Sequence, residues 1–144
     1  MKAYPHIYHA GARASATGAV RVTSADLPGM DTAPPPEFDG PGGVWSPETL
    51  LIASIADCFI LTFRGVSRAA HLDWETLEVH VEGTLERVSG ITQFTRYMTR
   101  AVLAVKPNTD HQKAKELLER AEKVCLISNS LRGERLLEIT VNTA

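Results

Sequence analysis

The spacing of apolar and polar residues changes along the 144-residue chain and predicts where strands, helices and loops lie. Residues 6–15 and 19–24 alternate apolar and polar side chains on either side of the sequence Ala-Thr-Gly-Ala, which predicts a hairpin of two strands. Residues 26–45 hold most of the prolines and many glycines. We therefore expect a long loop there without regular structure, and loops of this length are usually functional or disordered.

A long helix is predicted to begin at Ser46 and to end near Ala70. Ser46 suits the capping position, and Pro47 fits the first helical position because its missing N–H would have no partner there. Between Leu50 and Phe63 apolar residues occupy nearly every side of the helix. This distribution is typical of a helix that is buried all round.

The second half of the chain is predicted to contain three strands and one helix. A period of two beginning at Trp74 predicts a strand, Ser89-Gly90 is expected to turn the chain, and further strands are expected over 91–105 and 136–142. Between the last two strands, a helix capped by Asp110 is expected to run to about residue 124. The predicted order is β-β-α-β-β-α-β. Because the helices do not alternate regularly with the strands, the pattern favours an α+β fold in a single domain, residues 1–144.

Composition narrows the classes of protein to consider. A net charge of −2 and a pI near 6.2 give no basic surface, so we expect no nucleic-acid partner. No run of 18 apolar residues occurs, so we expect no membrane-spanning helix. The first residues lack the apolar segment of a signal peptide, and we therefore expect a cytoplasmic protein.

The two cysteines, Cys58 and Cys125, are the candidates for chemistry. In a reducing compartment a structural disulfide is rare, although a cysteine in mid-helix is most often a small apolar packing residue. Cys125 falls near the C-terminal end of a predicted helix, where the helix dipole disfavours a thiolate. If one cysteine attacks and the other resolves, these arguments assign the attack to Cys58 and the resolution to Cys125.

Glu48 precedes Cys58 by ten positions, so the two lie on roughly one face of the predicted helix but about 15 Å apart. Glu48 could anchor an arginine that reaches the thiol, or it could simply complement the positive end of the helix dipole. The five histidines show no spacing typical of metal ligands. We therefore expect neither a metal nor a cofactor.

Two segments resemble motifs of the OsmC/Ohr family, the osmotically inducible and organic hydroperoxide resistance proteins. Residues 45–51, Trp-Ser-Pro-Glu-Thr-Leu-Leu, resemble the family's Asn-Pro-Glu-x-Leu motif, and Cys58 follows Glu48 at the family's distance. Residues 124–129, Val-Cys-Leu-Ile-Ser-Asn, are similar to the family's Val-Cys-Pro-x-Ser-Asn. The order of predicted elements also matches, so the resemblance covers nearly the whole chain.

The resemblance implies an OsmC-like fold, an intertwined homodimer with active sites at the subunit interface, and a thiol peroxidase activity. In the family the first cysteine, here Cys58, attacks the peroxide and becomes a sulfenic acid. The second, here Cys125, condenses with it to a disulfide, which an external dithiol such as a lipoyl protein reduces. An apolar wall around Cys58 would favour organic hydroperoxides over hydrogen peroxide; its expected members are Phe38, Trp45, Leu51, Ile55 and Phe59.

The chain departs from the family pattern at two places. The family pairs the glutamate, here Glu48, with an arginine from the N-terminal half, for which Arg21 is the first candidate and Arg13 the second. OsmC-like members carry that arginine where this chain has Glu37, and the proline after the second cysteine is replaced by Leu126.

Two further hypotheses remain open alongside the peroxidase. The chain could be a non-enzymatic module that binds a lipophilic small molecule at the dimer interface, which the missing arginine favours. It could also be a redox sensor that uses the same thiols.

Overall fold

The computed structural model describes all 144 residues and divides the chain into two compact units, residues 1–51 and 52–144. The elements in chain order are β1 (Gly11–Arg13), β2 (Val20–Thr23), β3 (Met30–Thr32), a 3-10 helix (Pro36–Phe38), α1 (Pro47–Ala69), β4 (Thr76–Val88), β5 (Ile91–Val105), α2 (His111–Val124), α3 (Leu126–Asn129) and β6 (Glu134–Thr143). The α+β prediction is confirmed, and β3 and α3 are additions to the predicted order.

The N-terminal unit contains a three-stranded antiparallel sheet in the order β1-β2-β3. The predicted hairpin is present, with Arg13 opposite Arg21 across β1 and β2, and Arg21 opposite Asp31 across β2 and β3. β1 is much shorter than predicted. The alternation over residues 6–15 therefore overestimated the strand, because only residues 11–13 find a hydrogen-bonded neighbour.

The segment 26–45 has more regular structure than its prolines and glycines predicted. β3 pairs with β2, and the 3-10 helix follows it with Pro36 at its first position. A Cβ atom added to Gly40 would lie 1.6 Å from the carbonyl oxygen of Pro34, so only glycine fits where the chain leaves this helix. The prediction of a loop without elements was wrong because it could not include the pairing with β2.

The start of α1 confirms the predicted cap. Ser46 Oγ accepts a hydrogen bond from the N–H of Thr49 at 3.1 Å, while the N–H of Ser46 donates to Thr49 Oγ1 at 2.9 Å. This reciprocal pair satisfies two of the amide groups that a helix start leaves without helical partners.

Within this chain α1 buries only one of its apolar faces. Its buried residues are Ile55, Phe59, Phe63 and Ser67. Leu61, on another face, remains 54% exposed, and only 22% of the most apolar 18-residue window is buried. The expectation of a helix buried all round is therefore wrong for the single chain.

By length and composition α1 could cross a membrane, since it has 23 residues and a mean hydropathy of 1.7 over that window. The expectation of no such helix is therefore too strict, because a helix can reach this mean hydropathy without an uninterrupted apolar run. A single helix of this kind is weak evidence for a membrane span, because the core helix of a globular domain passes the same test.

The C-terminal unit has a mixed sheet in the order β4-β5-β6. β4 and β5 are antiparallel and are joined by Ser89 and Gly90, whose φ angles of 50° and 80° suit a two-residue hairpin turn. β6 pairs with β5 in parallel, so α2 and α3 lie in the crossover connection that a parallel neighbour requires.

The main core lies in this unit, between the buried face of α1, the sheet and α2. Its buried members are Phe59, Phe63, Leu72, Ala101, Leu103, Val105, Ala114, Leu118 and Ala121. The predicted cap of α2 is also confirmed, because the Asp110 carboxylate accepts from the N–H groups of Gln112 and Lys113 at 2.9 and 3.1 Å. The cap fixes the start of α2, and the buried Leu118 and Ala121 hold the half of the helix that leads to Cys125.

Candidate functional site

The fold brings the two cysteines together. Cys58 lies in the middle of α1, and Cys125 lies at the junction where α2 ends and α3 begins. Both are free thiols, and they lie close enough together for Cys58 to raise the pKa of the Cys125 thiol. Two residues far apart in sequence thus form one two-thiol site in the C-terminal unit.

The two thiols differ in their access to solvent. Cys58 is partly exposed, with its Sγ 3.8 Å from Thr62 Oγ1, whereas Cys125 is fully buried. A soluble oxidant therefore meets Cys58 first. Cys125 is placed to react only with a group that is already inside the protein, and the sulfur of Cys58 is such a group.

The environment of Cys125 raises the pKa of its thiol. Burial is the largest cause, because it disfavours the charged thiolate. Hydrogen bonds to the backbone and side chain of Ser128 act in the opposite direction, and the hydrogen bond and charge of Cys58 raise the pKa further. Cys125 is thus held mainly as the neutral thiol near neutral pH.

Thr62 and Ser128 contact the thiols and were not singled out by the sequence analysis. Thr62 follows Cys58 by four positions on one helix, a spacing that places side chains next to each other. Ser128 follows Cys125 by three positions, across the first turn of α3. Both spacings were present in the sequence, but they carry meaning only once the cysteines are known to be the site.

Glu48 lies elsewhere, beside a cavity of about 390 Å³ within the N-terminal unit. Apolar side chains line most of this cavity, among them Val20, Val22 and Phe38. One carboxylate oxygen of Glu48 is buried without a hydrogen-bond partner. Since an unpaired buried charge is costly, this oxygen is suited to a cationic partner from outside the unit.

Neither predicted arginine meets Glu48 in this chain. Arg21 pairs instead with Asp31 at 3.1 Å. Because neighbouring residues of a strand point to opposite faces, and Val20 and Val22 face the cavity of Glu48, Arg21 lies on the other face of the sheet. Arg13 is directly opposite Arg21 and shares that face. The prediction that one of them pairs with Glu48 is therefore wrong within the single chain.

The expected apolar wall is divided among different surroundings. Phe38 lines the cavity of Glu48, Trp45 is half exposed next to Thr32, and Leu51 is partly buried. Ile55 and Phe59 are fully buried core residues. They cannot line an accessible surface, because they belong to the face of α1 that is turned to the core.

A different apolar surface lies on the Cys58 side of α1. It is a groove of about 450 Å³ between α1 and α2 whose lining includes Gly65, Val66, Ala69, Leu117, Val124 and one charged residue, Arg120. Gly65 follows Cys58 by seven positions, which is almost two helical turns, so the groove continues the face that carries the thiol. No group of three or more His, Cys, Asp or Glu side chains is arranged to hold a metal ion.

The fold and the thiol pair define a class of α+β protein with two cysteines, one open to solvent and one buried, facing each other across a helix junction. The chain belongs to the OsmC-like protein family, whose model matches residues 40–140. This match includes both cysteines and Glu48.

Similar proteins agree with this assignment. An uncharacterised protein of Bacillus subtilis, YmaD, is 28% identical over 108 residues, which cover 73% of this chain and 72% of YmaD. An organic hydroperoxide resistance protein OsmC from Legionella pneumophila has a solved structure that is 26% identical, with a TM-score of 0.76 over 97% of this chain and 99% of its own. The organic hydroperoxide resistance protein OhrB of Bacillus subtilis, at 22% identity, shares the fold, with a TM-score of 0.66 over 94% of this chain and 98% of its own.

Proposed function

We propose that the protein is a thiol-dependent peroxidase that reduces organic hydroperoxides, with Cys58 as the attacking thiol and Cys125 as the resolving thiol. The observation that carries this proposal is the proximity of one partly exposed thiol and one buried thiol, at the junction of α2 and α3 with α1. The OsmC-like family and the organic hydroperoxide resistance proteins among the structural neighbours give it a chemical context.

The proposed reaction has two steps at sulfur. The Cys58 thiolate attacks one peroxide oxygen, the O–O bond breaks, and the leaving alkoxide takes a proton and departs as an alcohol. Cys58 is then a sulfenic acid. The sulfur of Cys125 attacks it, a disulfide forms, and water leaves with the proton of Cys125. An external dithiol returns both cysteines to thiols by disulfide exchange, and a lipoyl protein is one such reductant.

The groove on the face of α1 that carries Cys58 supports an organic substrate. Its lining is apolar except for Arg120, and it leads away from the thiol along α1. An alkyl or aryl group gains free energy by leaving water for such a surface, whereas hydrogen peroxide has no apolar part to bury. We therefore propose that this groove takes the role that the sequence analysis gave to Ile55 and Phe59.

We further propose that the active protein is a cytoplasmic homodimer and that the second subunit supplies the cation that Glu48 lacks. The exposed apolar faces of α1 and the unpaired oxygen of Glu48 both motivate this assembly. In this proposal Glu48 acts by orienting a cationic group and has no direct contact with substrate.

The test is a stopped-flow titration of the fully reduced protein with cumene hydroperoxide and, separately, with hydrogen peroxide. We expect fast oxidation that prefers the organic peroxide, and a Cys58–Cys125 disulfide in the product by mass spectrometry. Cys58→Ser should abolish the fast phase, while Cys125→Ser should keep it and stop at the sulfenic acid. Oxidation of the wild-type protein at the rate of a free thiol would reject the peroxidase.

A lipophilic-ligand module is the second candidate, and the apolar cavity beside Glu48 favours it. It predicts slow oxidation in both the wild type and Cys58→Ser, together with saturable binding of an apolar fluorescent probe. The peroxidase proposal does not predict that combination.

A further inference from the structure

A network of hydrogen bonds centred on Arg135 surrounds Cys125. Arg135, near the start of β6, donates through Nε to Glu122 Oε1 and through Nη1 to Asn129 Oδ1, each at 2.8 Å. Its Nη2 donates to the backbone carbonyl of Glu122. Asn129 in turn donates through Nδ2 to the carbonyl of Lys123 at 3.1 Å. We call these residues, Glu122, Lys123, Asn129 and Arg135, the Arg135 clamp.

The clamp holds the chain on both sides of the buried thiol. Glu122 and Lys123 belong to the last turn of α2, before Cys125, and Asn129 is the last residue of α3, after it. One guanidinium therefore bonds to both helices that meet at Cys125. A planar group with five N–H donors in fixed directions is suited to this task, whereas an ammonium group lacks that geometry.

The ion pair in the clamp is shielded from water more than the others in the protein. The side chains of Arg135 and Glu122 are 28% and 14% exposed, whereas every other ion pair has both side chains at least 45% exposed. Charged hydrogen bonds hold geometry better when they are less screened by solvent. The ion pair between Arg135 and Glu122 is thus expected to hold its geometry better than the exposed ion pairs of the protein.

The junction at Cys125 lacks two of the features that commonly fix the start of a helix. The α3 helix has no side-chain cap, and Cys125 lies between the helices with an extended ψ of 109°. Leu126, which follows, is 65% exposed and places no ring constraint on the backbone. The burial of Cys125 and Ser128, the local backbone hydrogen bonds and the clamp together restrain the angle between α2 and α3.

We propose that Arg135 is a positioning residue, which keeps the Cys125 sulfur against the Cys58 sulfur so that the disulfide closes. This role deepens the proposed function, on which its relevance to peroxide reduction rests. The closure itself can be driven without any peroxide. Diamide, a diazene oxidant, takes up two electrons and two protons from the thiols and becomes a hydrazine, and the S–S bond forms.

The first experiment measures the rate at which diamide drives formation of the Cys58–Cys125 disulfide in the reduced full-length protein. Samples are quenched with an alkylating agent, and the intact mass of the chain is measured by mass spectrometry. Arg135→Gln is expected to close roughly tenfold more slowly than the wild type, a change equivalent to about 1.4 kcal/mol. The closure rate of Arg135→Lys should lie between these two rates, since the lysine keeps the charge beside Glu122 but cannot make the three hydrogen bonds of the guanidinium. Asn129→Ala removes one exposed arm of the clamp and tests the same role in a milder variant.

Arg100→Gln is the matched control. Arg100 also lies on the C-terminal sheet and pairs with Glu138 at 3.0 Å, on an exposed surface. It should close at the wild-type rate. All variants are compared at a temperature where circular dichroism shows them fully folded, and if Arg135→Gln does not fold, Asn129→Ala decides.

A rescue variant separates positioning from general stability. In Arg135→Gln combined with Leu126→Pro, the proline occupies the first position of α3 and restricts the junction directly. The extended backbone of Cys125 is compatible with a following proline. This double variant should regain most of the closure rate. Closure of Arg135→Gln or Asn129→Ala at the wild-type rate, or slowing equal to that of Arg100→Gln, would overturn the proposal.

The peroxide reaction supplies a second readout. With excess cumene hydroperoxide, Arg135→Gln should oxidise Cys58 as fast as the wild type but convert more of it to sulfinic acid, because the sulfenic acid waits longer for Cys125. If the wild type does not react rapidly with the hydroperoxide, the proposed peroxidase fails, while the diamide rates still decide the role of Arg135.

Discussion

Cys58 and Cys125 carry the same functional group in two different environments, and this difference supports the two roles that we propose for them. Cys58 is partly exposed beside Thr62, whereas Cys125 is buried and hydrogen-bonded to Ser128. An attacking thiol must meet a substrate from solvent, while a resolving thiol only has to meet its partner. The environment of each residue therefore fits the order of events that we propose.

The raised pKa of Cys125 predicts a particular pH dependence. The rate at which Cys125 is alkylated should rise with pH to a plateau. The midpoint of this rise should lie at a higher pH in the native protein than in the urea-unfolded chain. The reason is that burial, the largest cause, disfavours the thiolate only in the folded state. Residue-resolved mass spectrometry measures the alkylation of Cys125 against pH in both states. The shapes of the two profiles are compared, because burial also lowers the absolute rate in the native protein.

Cys58→Ala is the control for that experiment. It removes the hydrogen bond and charge of Cys58, which also raise the pKa of Cys125, so the midpoint should move down but stay above that of the unfolded chain. A native midpoint at or below the unfolded one would contradict the assignment. The same shift predicts how stability depends on pH. The unfolded chain releases the Cys125 proton at a lower pH than the folded chain does, so the free energy of unfolding falls as the pH rises above the usual pKa range of thiols.

At the scale of elements, β6 depends on a glycine at its entrance. Gly133 has a φ of 125°, and a Cβ atom there would lie 3.1 Å from the backbone of Thr95 and 3.0 Å from the ring of Tyr97. Gly133→Ala therefore combines strain in φ with a close contact to backbone, which cannot move aside easily. We expect it to lower the free energy of unfolding by about 2–3 kcal/mol, measured by urea denaturation.

Gly90→Ala is the comparison for the strain alone. Gly90 also has a positive φ, 80°, but a Cβ atom there would have open space around it. Its cost should be smaller, on the order of 1 kcal/mol. Equal effects of the two substitutions would mean that the contact with Thr95 and Tyr97 does not matter. Because Arg135 lies two residues beyond Gly133, an effect on disulfide closure would also be expected from this variant.

At the scale of the whole molecule, α1 leaves apolar surface uncovered. Leu61 is 54% exposed, and little of the most apolar part of this helix is buried. If a second copy covers this surface, Leu61→Glu should weaken the dimer strongly, because the new charge would have to be buried without a partner. Sedimentation equilibrium over a range of concentrations measures the effect.

Val88→Glu is the matched control, since Val88 is an exposed apolar residue on another element, at the tip of the β4–β5 hairpin. It should keep the association of the wild type. A wild-type protein that stays monomeric at every concentration would contradict the homodimer, whatever the variants do.

The sequence by itself determined the features that depend on near neighbours in the chain. The cap at Ser46, the cap at Asp110 and the turn at residues 89–90 were all predictable, because each results from a few adjacent residues whose preferences agree. The α+β class also followed from periodicity, and the family followed from the short motifs around Glu48, Cys58 and Cys125.

Only the tertiary structure decided the features that depend on residues far apart in the chain. β3 exists because β2 offers it hydrogen bonds, despite the prolines and glycines around it. Arg21 lies on the face of the sheet opposite to the cavity of Glu48 because the strand register sets which side chains share a face. The Arg135 clamp joins β6 to the helix junction at Cys125, and no local pattern distinguishes its arginine from the others. Long-range pairing and packing are cooperative properties of the folded chain, so local periodicity cannot specify them.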